Sequence, residues 1–328
     1  MVINGAIKYQ SAKFSYINQK HVFDEPIKEA IKTLCKYDNF HCFLALAANT
    51  FWIVLGVYLS CLSFYFYPLT LLIIGSRQRA LATLLHDATH HCLAKNQSLN
   101  KIFGTFFSGY LIFQSWNAYQ KSHVYQHHIR LGDPEQDPDF KYYVASGLYQ
   151  THSKLQFFYQ FLFKPVLCLN VFSSFIYLIK HRLVNPETRR ELFGMVTSLA
   201  FFIAIGTYLT NWTFFFLYWL VPYLTVFQVL TWFIEISEHY PLVAHAKIDI
   251  DATQNRFSHP IEAFFTSIHN ENFHLVHHLF PAVPFWNMKK AHQILLKDPV
   301  YAQKNASFGG IFISSNYAKS NWSNLLNA

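Results

Sequence analysis

Long apolar runs, rather than an alternation of polar and apolar positions, dominate this chain of 328 residues. Between Asp38 and Arg77 lie 38 residues without a formal charge, and between Glu191 and Glu235 another 43. A helix crossing a bilayer needs about 20 mostly apolar residues. Each run is too long for one span and suits two. Turns near Cys61–Ser63 and Asn211–Thr213 divide them, which predicts two helical hairpins with spans at about 40–60, 63–84, 192–210 and 213–234.

Two further apolar stretches, 102–120 and 155–179, are decided by charge placement. If only the hairpins cross, all 26 Lys and Arg fall on one face and neither outer turn holds any. The positive-inside bias makes that face cytoplasmic. A full span at 102–120 would put "HDATHH" and "HVYQHH" on opposite sides, and Lys164-Pro165 interrupts 155–179. Both stretches are therefore expected as helices lying in the interface or dipping into it. The expected fold is an all-α integral membrane protein with four transmembrane helices in two hairpins, interfacial helices and a cytoplasmic histidine-rich cap. Its layout is a cytoplasmic segment 1–38, a membrane domain 39–300 with the cap at 85–190 and 239–300, and a cytoplasmic tail 301–328.

Composition agrees with a membrane protein. The chain is 52% hydrophobic and 19% aromatic but only 13% charged, against roughly a quarter charged in soluble domains. Cys35, Cys42, Cys61, Cys92 and Cys168 lie far apart without a C-x-x-C, so no disulfide framework or zinc knuckle is expected. The first 38 residues are polar and mixed in charge, unlike a cleaved signal peptide. The net charge of +8 is assigned to a membrane surface, and no nucleic-acid partner is expected. Much of the aromatic content fits lipid-facing packing and interfacial belts.

The histidines change the picture. Of 18, most fall in "HDATHH" (86–91), "HVYQHH" (123–128) and "HNENFHLVHH" (269–278), with His239 alone in "SEHY" after the second hairpin. On a helix, residues three or four apart share a face. His86 with His90, His123 with His127, and His274 with His277 and His278 can each project toward a common point. Imidazole suits iron, copper, zinc and nickel, and nine or ten imidazoles fit two ions better than one. His21, His41, His152, His181, His245 and His292 stand apart and are read as hydrogen-bonding side chains.

These motifs resemble the three histidine boxes of the membrane fatty acid desaturase and hydroxylase superfamily. "HDATH", "HVYQHH" and "HLVHH" match its H-x(3–4)-H, H-x(2–3)-H-H and H-x-x-H-H patterns, and the similarity extends through "HHIRLGDPEQDPDF" and "NENFHLVHHLFPAVPFWNM", over roughly residues 40–300. The resemblance implies a pair of iron ions at the cytoplasmic end of four spans. The implied ligands are His86, His90, His123, His127, His128, His239, His274, His277 and His278. His91 competes with His90, since either box spacing can be drawn from His86. Related stearoyl-type enzymes carry an asparagine four residues before the isolated histidine, where this chain has Glu235, so the tenth ligand stays open. His269 falls outside the boxes.

Removing hydrogen from an unactivated alkyl carbon needs an oxidant that no side chain supplies, so a metal that activates O2 is expected. The implied substrate is a fatty acyl lipid or acyl thioester. Without "HPGG" no fused haem donor is expected, and electrons would come from a separate ferredoxin, rubredoxin or cytochrome b5. Asp87 and Glu238 are expected to accept the second N–H of ligating imidazoles, while "GDPEQDPD" (132–139) is read as a turn. A hydroxylase or ketolase of the same superfamily, acting on a carotenoid, sphingolipid or alkane, is the nearest rival. A zinc hydrolase lacks H-E-x-x-H, and a haem cytochrome would place its ligands within the spans. A bacterial inner membrane is favoured over the endoplasmic reticulum.

Overall fold

The computed structural model describes residues 2–3, 6–7, 14, 16–184, 189–314 and 318–327. The predicted segments 1–38, 85–190 and 301–328 therefore lie partly outside the described residues. The chain is mostly helical and divides into two compact units, one of Tyr37–Lys121 and Val171–Thr231, the other of Met1–Lys36, Ser122–Asn170 and Trp232–Ala328.

In the first unit the helices His41–Leu62 and Tyr67–Thr89 form a hairpin. Ser63 ends the first helix in extended backbone, and its Oγ accepts from Tyr65 N to start the turn Phe64–Phe66. Pro68 then sits in the first turn of the second helix, where a missing N–H costs nothing. Inside the hairpin Thr70 Oγ1 donates to Gly56 O at 2.6 Å. Tyr67–Thr89 also packs against the turn Tyr223–Phe227. There a Cβ on Gly75 would lie 2.6 Å from Val226 Cβ, so any larger residue would force this packing to shift.

Among the described residues, three helices are long and apolar enough to cross a membrane: His41–Leu62, Arg189–Leu209 and Trp212–His239. Tyr67–Thr89, where a span was expected at 63–84, is a continuous helix outside this set. Arg77, Gln78 and Arg79 interrupt its apolar pattern, and nearly every residue from Ile73 to Thr89 is buried. Trp212–His239 widens into π-helical turns at Phe216–Leu220 and Tyr223–Phe227, on either side of Pro222, which cannot donate to the helical ladder. No continuous helix runs through 102–120. Gln97–Thr105, Gly109–Ile112 and Trp116–Tyr119 follow one another as short pieces. The stretch 155–179 forms Lys154–Val166 and Val171–Leu183, separated by a break in which Cys168 adopts φ +59°, and the pair is a fourth candidate span.

The second unit is built on a core of Phe23, Ile27, Ile31, Ile250, Leu275, Val276, Val283, Ala291 and Leu295. The amphipathic helix Glu25–Lys32 turns Ile27 and Ile31 onto Met288–Leu295. Two-residue strands Val2–Ile3, Ala6–Ile7 and His152–Ser153 make a small antiparallel ribbon with Val2 opposite Ile7 and Ala6 opposite Ser153.

Candidate metal centre

The third box lies on the short helix His274–Leu279. Leu275 and Val276 are fully buried in the core of the second unit, so His274, His277 and His278 must face the other way. The second box occupies a π-helical stretch, Gln120–His128. A π-helix closes its turn over five residues instead of four. His123 therefore meets both His127, ring centroids 5.3 Å apart, and His128, whose Nε2 is 3.1 Å from His123 Nε2. His239, the last residue of Trp212–His239, brings its Nε2 to 2.9 Å from His274 Nε2.

These contacts knit the second unit's imidazoles into one cluster. His277 Nε2 lies 3.1 Å from His128 Nε2, and His278 Nε2 lies 3.0 Å from His274 Nε2. Donor nitrogens of His123, His128 and His277 fall within 4.8 Å of one another, as do those of His127, His239 and His278. Two nitrogens bound to one ion at about 2.1 Å are themselves about 3 Å apart, so the observed separations suit ligation. In the first unit His86 and His90 face each other with ring centroids 4.9 Å apart.

Protonation is set by what surrounds each ring. His278 is held well below its ordinary value by burial and by the imidazoles of His128, His274, His239 and His127. His90 is lowered in the same way by burial and by His86 and His91. Both are neutral at pH 7, as a metal ligand must be. Burial pushes His127 down too, but Asp137, with Asp139 and Glu235, overrides it and raises the ring to about 9. With no metal bound the ring therefore carries both protons at pH 7, Nδ1 lying 3.0 Å from Asp137 Oδ1, and the Nε2 proton is the one a metal would displace.

Residues 62–309 match the family model described as fatty acid desaturase. The chain belongs to the fatty acid desaturase family. It is 38% identical to dihydrorhizobitoxine desaturase of Bradyrhizobium elkanii, over 77% of this chain and 74% of that protein. Delta 8-(E)-sphingolipid desaturases of Kluyveromyces lactis and Candida albicans are 22% and 23% identical, over 74% and 65% of this chain. The chain spans about half the length of these last two, 48% and 42%. It is accordingly an oxidoreductase of the desaturase type, with histidine clusters that could hold metal in a metal-dependent family.

Around the desaturase's clusters, carboxylates meet the second nitrogens of three rings. Asp87 Oδ1 lies 2.9 Å from His86 Nδ1, Asp137 takes His127, and Glu238 Oε2 lies 3.4 Å from His274 Nδ1. Such partners fix tautomer and ring orientation. Glu235 influences His127 electrostatically but is not among the donor groups that converge. His91 follows the end of its helix at φ +60°, where Nδ1 meets Gln97 Oε1 at 3.0 Å and Nε2 meets Gln120 Nε2 at 3.3 Å. It belongs to no converging group, nor does His269, whose ring packs on Phe285. Of the solitary histidines, His41 pairs with Asp38, His21 with Asp298, His152 with Gly147 O and His292 with Tyr301.

Sequence reasoning missed three supporting residues. Asp137 is both the N-cap of Pro138–Ala145 and the partner of His127, so the loop "GDPEQDPD" is a turn that also delivers a carboxylate. The Asp-Pro-Asp helix start was the available signal. Arg256 is 1% exposed and lies 3.0 Å from Glu238 through Nε and Nη2, with Nη1 donating to Thr266 O. Asn255 accepts Leu275 N at 3.0 Å and Val276 N at 3.4 Å, capping the third-box helix from outside it. Neither Arg256 nor Asn255 lies in a recognisable motif.

Proposed function

We propose that this desaturase uses two iron ions and O2 to place a double bond in a fatty acyl chain carried as an acyl lipid or an acyl thioester. Two electrons would come from an external ferredoxin, rubredoxin or cytochrome b5. In balance, –CH2–CH2– with O2, two electrons and two protons gives –CH=CH– and two waters. The reading is carried by one observation: second-box and third-box imidazoles, with His239, face one another through Nε2 at ligand spacing.

The residues fit the metal. Imidazole is an iron ligand, His278 is neutral, and the Nδ1 of His127 and of His274 is turned to a carboxylate, which leaves Nε2 as the ligating atom, on His127 with loss of its proton. His123, His127, His128, His239, His274, His277 and His278 would hold it, with His86 and His90 proposed as further ligands on the sequence pattern. Bound iron supplies the O2 activation that no side chain can provide. Asp137 and Glu238 keep their imidazoles aligned. The cluster is proposed to lie on the cytoplasmic face of a bacterial inner membrane, with the termini on the same side.

The relatives named above are desaturases, which favours double-bond formation over hydroxylation or ketolation of a carotenoid, sphingolipid or alkane. Lipid analysis of cells expressing the chain tests the proposal. New acyl double bonds that vanish with His277→Ala are expected. New alcohols or ketones in their place, or unchanged lipids beside iron-loaded protein, would contradict it.

A further inference from the structure

A cleft of about 670 Å³ opens in the first unit, between the helix Gln97–Thr105, the turn Gly109–Ile112 and the start of Arg189–Leu209. One end of it is cationic. Lys101 and Arg190 both line the cleft and are exposed, and among the described residues neither closes a salt bridge. Glu191 lines it too, but its Oε1 accepts Trp116 N at 2.5 Å and its Oε2 accepts Asn117 N at 2.9 Å. That carboxylate ties the start of Arg189–Leu209 to Trp116–Tyr119 and so fixes where Arg190 stands. Two cations against one carboxylate leave a single net positive charge, the complement of a phosphodiester.

The other end is apolar. Ile102 and Phe106, four positions apart on one helical face, are 40% and 41% exposed and line the same cleft. Its volume is far beyond what a phosphate ion fills and is typical of sites for larger molecules. Arg189–Leu209 is apolar enough to cross a membrane and begins with two arginines. Basic side chains at the end of a span sit at the level of the lipid headgroups, which puts the cationic end beside phosphates and the apolar end beside acyl chains. No residue of the histidine clusters lines the cleft.

We propose that this cleft binds an anionic phospholipid, with its phosphodiester between Lys101 and Arg190 and an acyl chain along Ile102 and Phe106. The bound lipid clamps Gln97–Thr105 to the start of Arg189–Leu209 and thereby stabilises the first unit.

Thermal unfolding of the full-length chain in lipid-doped detergent micelles tests this, because a ligand of the native state raises the midpoint. Dioleoylphosphatidylglycerol, dioleoylphosphatidylcholine and inorganic phosphate are titrated separately. Each basic residue near an anionic lipid adds about a fivefold preference, so phosphatidylglycerol should act at about 20-fold lower mole fraction than phosphatidylcholine. Phosphate alone should leave the midpoint unchanged. Lys101→Gln and Arg190→Gln should each cut the preference about fivefold. Lys180→Gln, at an exposed lysine outside the cleft, should keep it. The preference is a ratio within each chain, so a variant of altered stability still reports it. Equal responses to the two lipids overturn the proposal, as does a preference that Lys101→Gln and Arg190→Gln both keep. A shift reproduced by phosphate alone overturns it in favour of a free ion. A loss as large with Lys180→Gln as with Lys101→Gln overturns it in favour of diffuse surface charge.

Discussion

Asp137 accepts the Nδ1 proton of His127 at 3.0 Å and is itself locked by backbone amides. Oδ1 takes Asp139 N and Phe140 N, and Oδ2 takes Gly132 N, each at 3.1 Å. Gly132 adopts φ +81°, a conformation open to glycine at no steric cost, as it turns the chain back onto the carboxylate. The loop after the second box thus fixes the ring that the box presents. Removing a carboxylate of this kind typically costs 10–100-fold in metal affinity. Asp137→Ala should weaken iron binding by about that factor, read by chelator competition.

Glu238 and Arg256 form a buried ion pair, 2% and 1% exposed at their side chains. Breaking such a pair from one side leaves an uncompensated charge and costs about 3–5 kcal/mol. Arg256→Leu should lower the thermal unfolding midpoint sharply. Adding Glu238→Gln should recover part of the loss, because the buried charge is then gone. An Arg256→Leu chain as stable as the wild type would refute the assignment.

Asn255 caps the third-box helix, and its Nδ2 donates to Tyr301 Oη and Asn305 Oδ1. Asn255→Ala strips the buried N–H groups of Leu275 and Val276 of their acceptor. Losing a cap costs about 1 kcal/mol, and a stranded buried donor about 1–3 kcal/mol. A lower unfolding midpoint should come with faster loss of iron from the purified protein, since the same helix carries His274, His277 and His278.

His292 gives the second unit a pH dependence. Burial lowers its pKa from 6.5 to about 4. The folded state therefore keeps the ring neutral while the unfolded chain protonates it. The stability so contributed is complete above pH about 6.5 and is lost as pH falls toward about 4. Unfolding midpoints should drop across that window, and the drop should be shallower in His292→Gln. Equal slopes in the two chains would contradict it.

What the sequence disclosed follows from how local each feature is. Apolar length is a property of one segment, so His41–Leu62, Arg189–Leu209 and Trp212–His239 lie where the charge-free runs put them. Box spacing is equally local, and it brought His274, His277 and His278 onto one face. The π-helical turn at Gln120–His128 was not legible, because α-helical spacing predicts only the pair His123 and His127 and omits the contact between His123 and His128. Arg256 and Asn255 act across the chain on Glu238 and Leu275, and no local pattern announces such partners. The polar middle of Tyr67–Thr89, from Arg77 to Arg79, is mostly buried against protein, and the length of an apolar run carries no sign of that.

Iron content measured against protein in the full-length chain, purified in detergent under reducing conditions, tests the central claim most directly. Two iron ions per chain are predicted, with both His128→Ala and His278→Ala lowering that ratio while the fold persists by circular dichroism. A chain that desaturates lipid while holding no iron, or that keeps its full iron after both substitutions, would contradict the account.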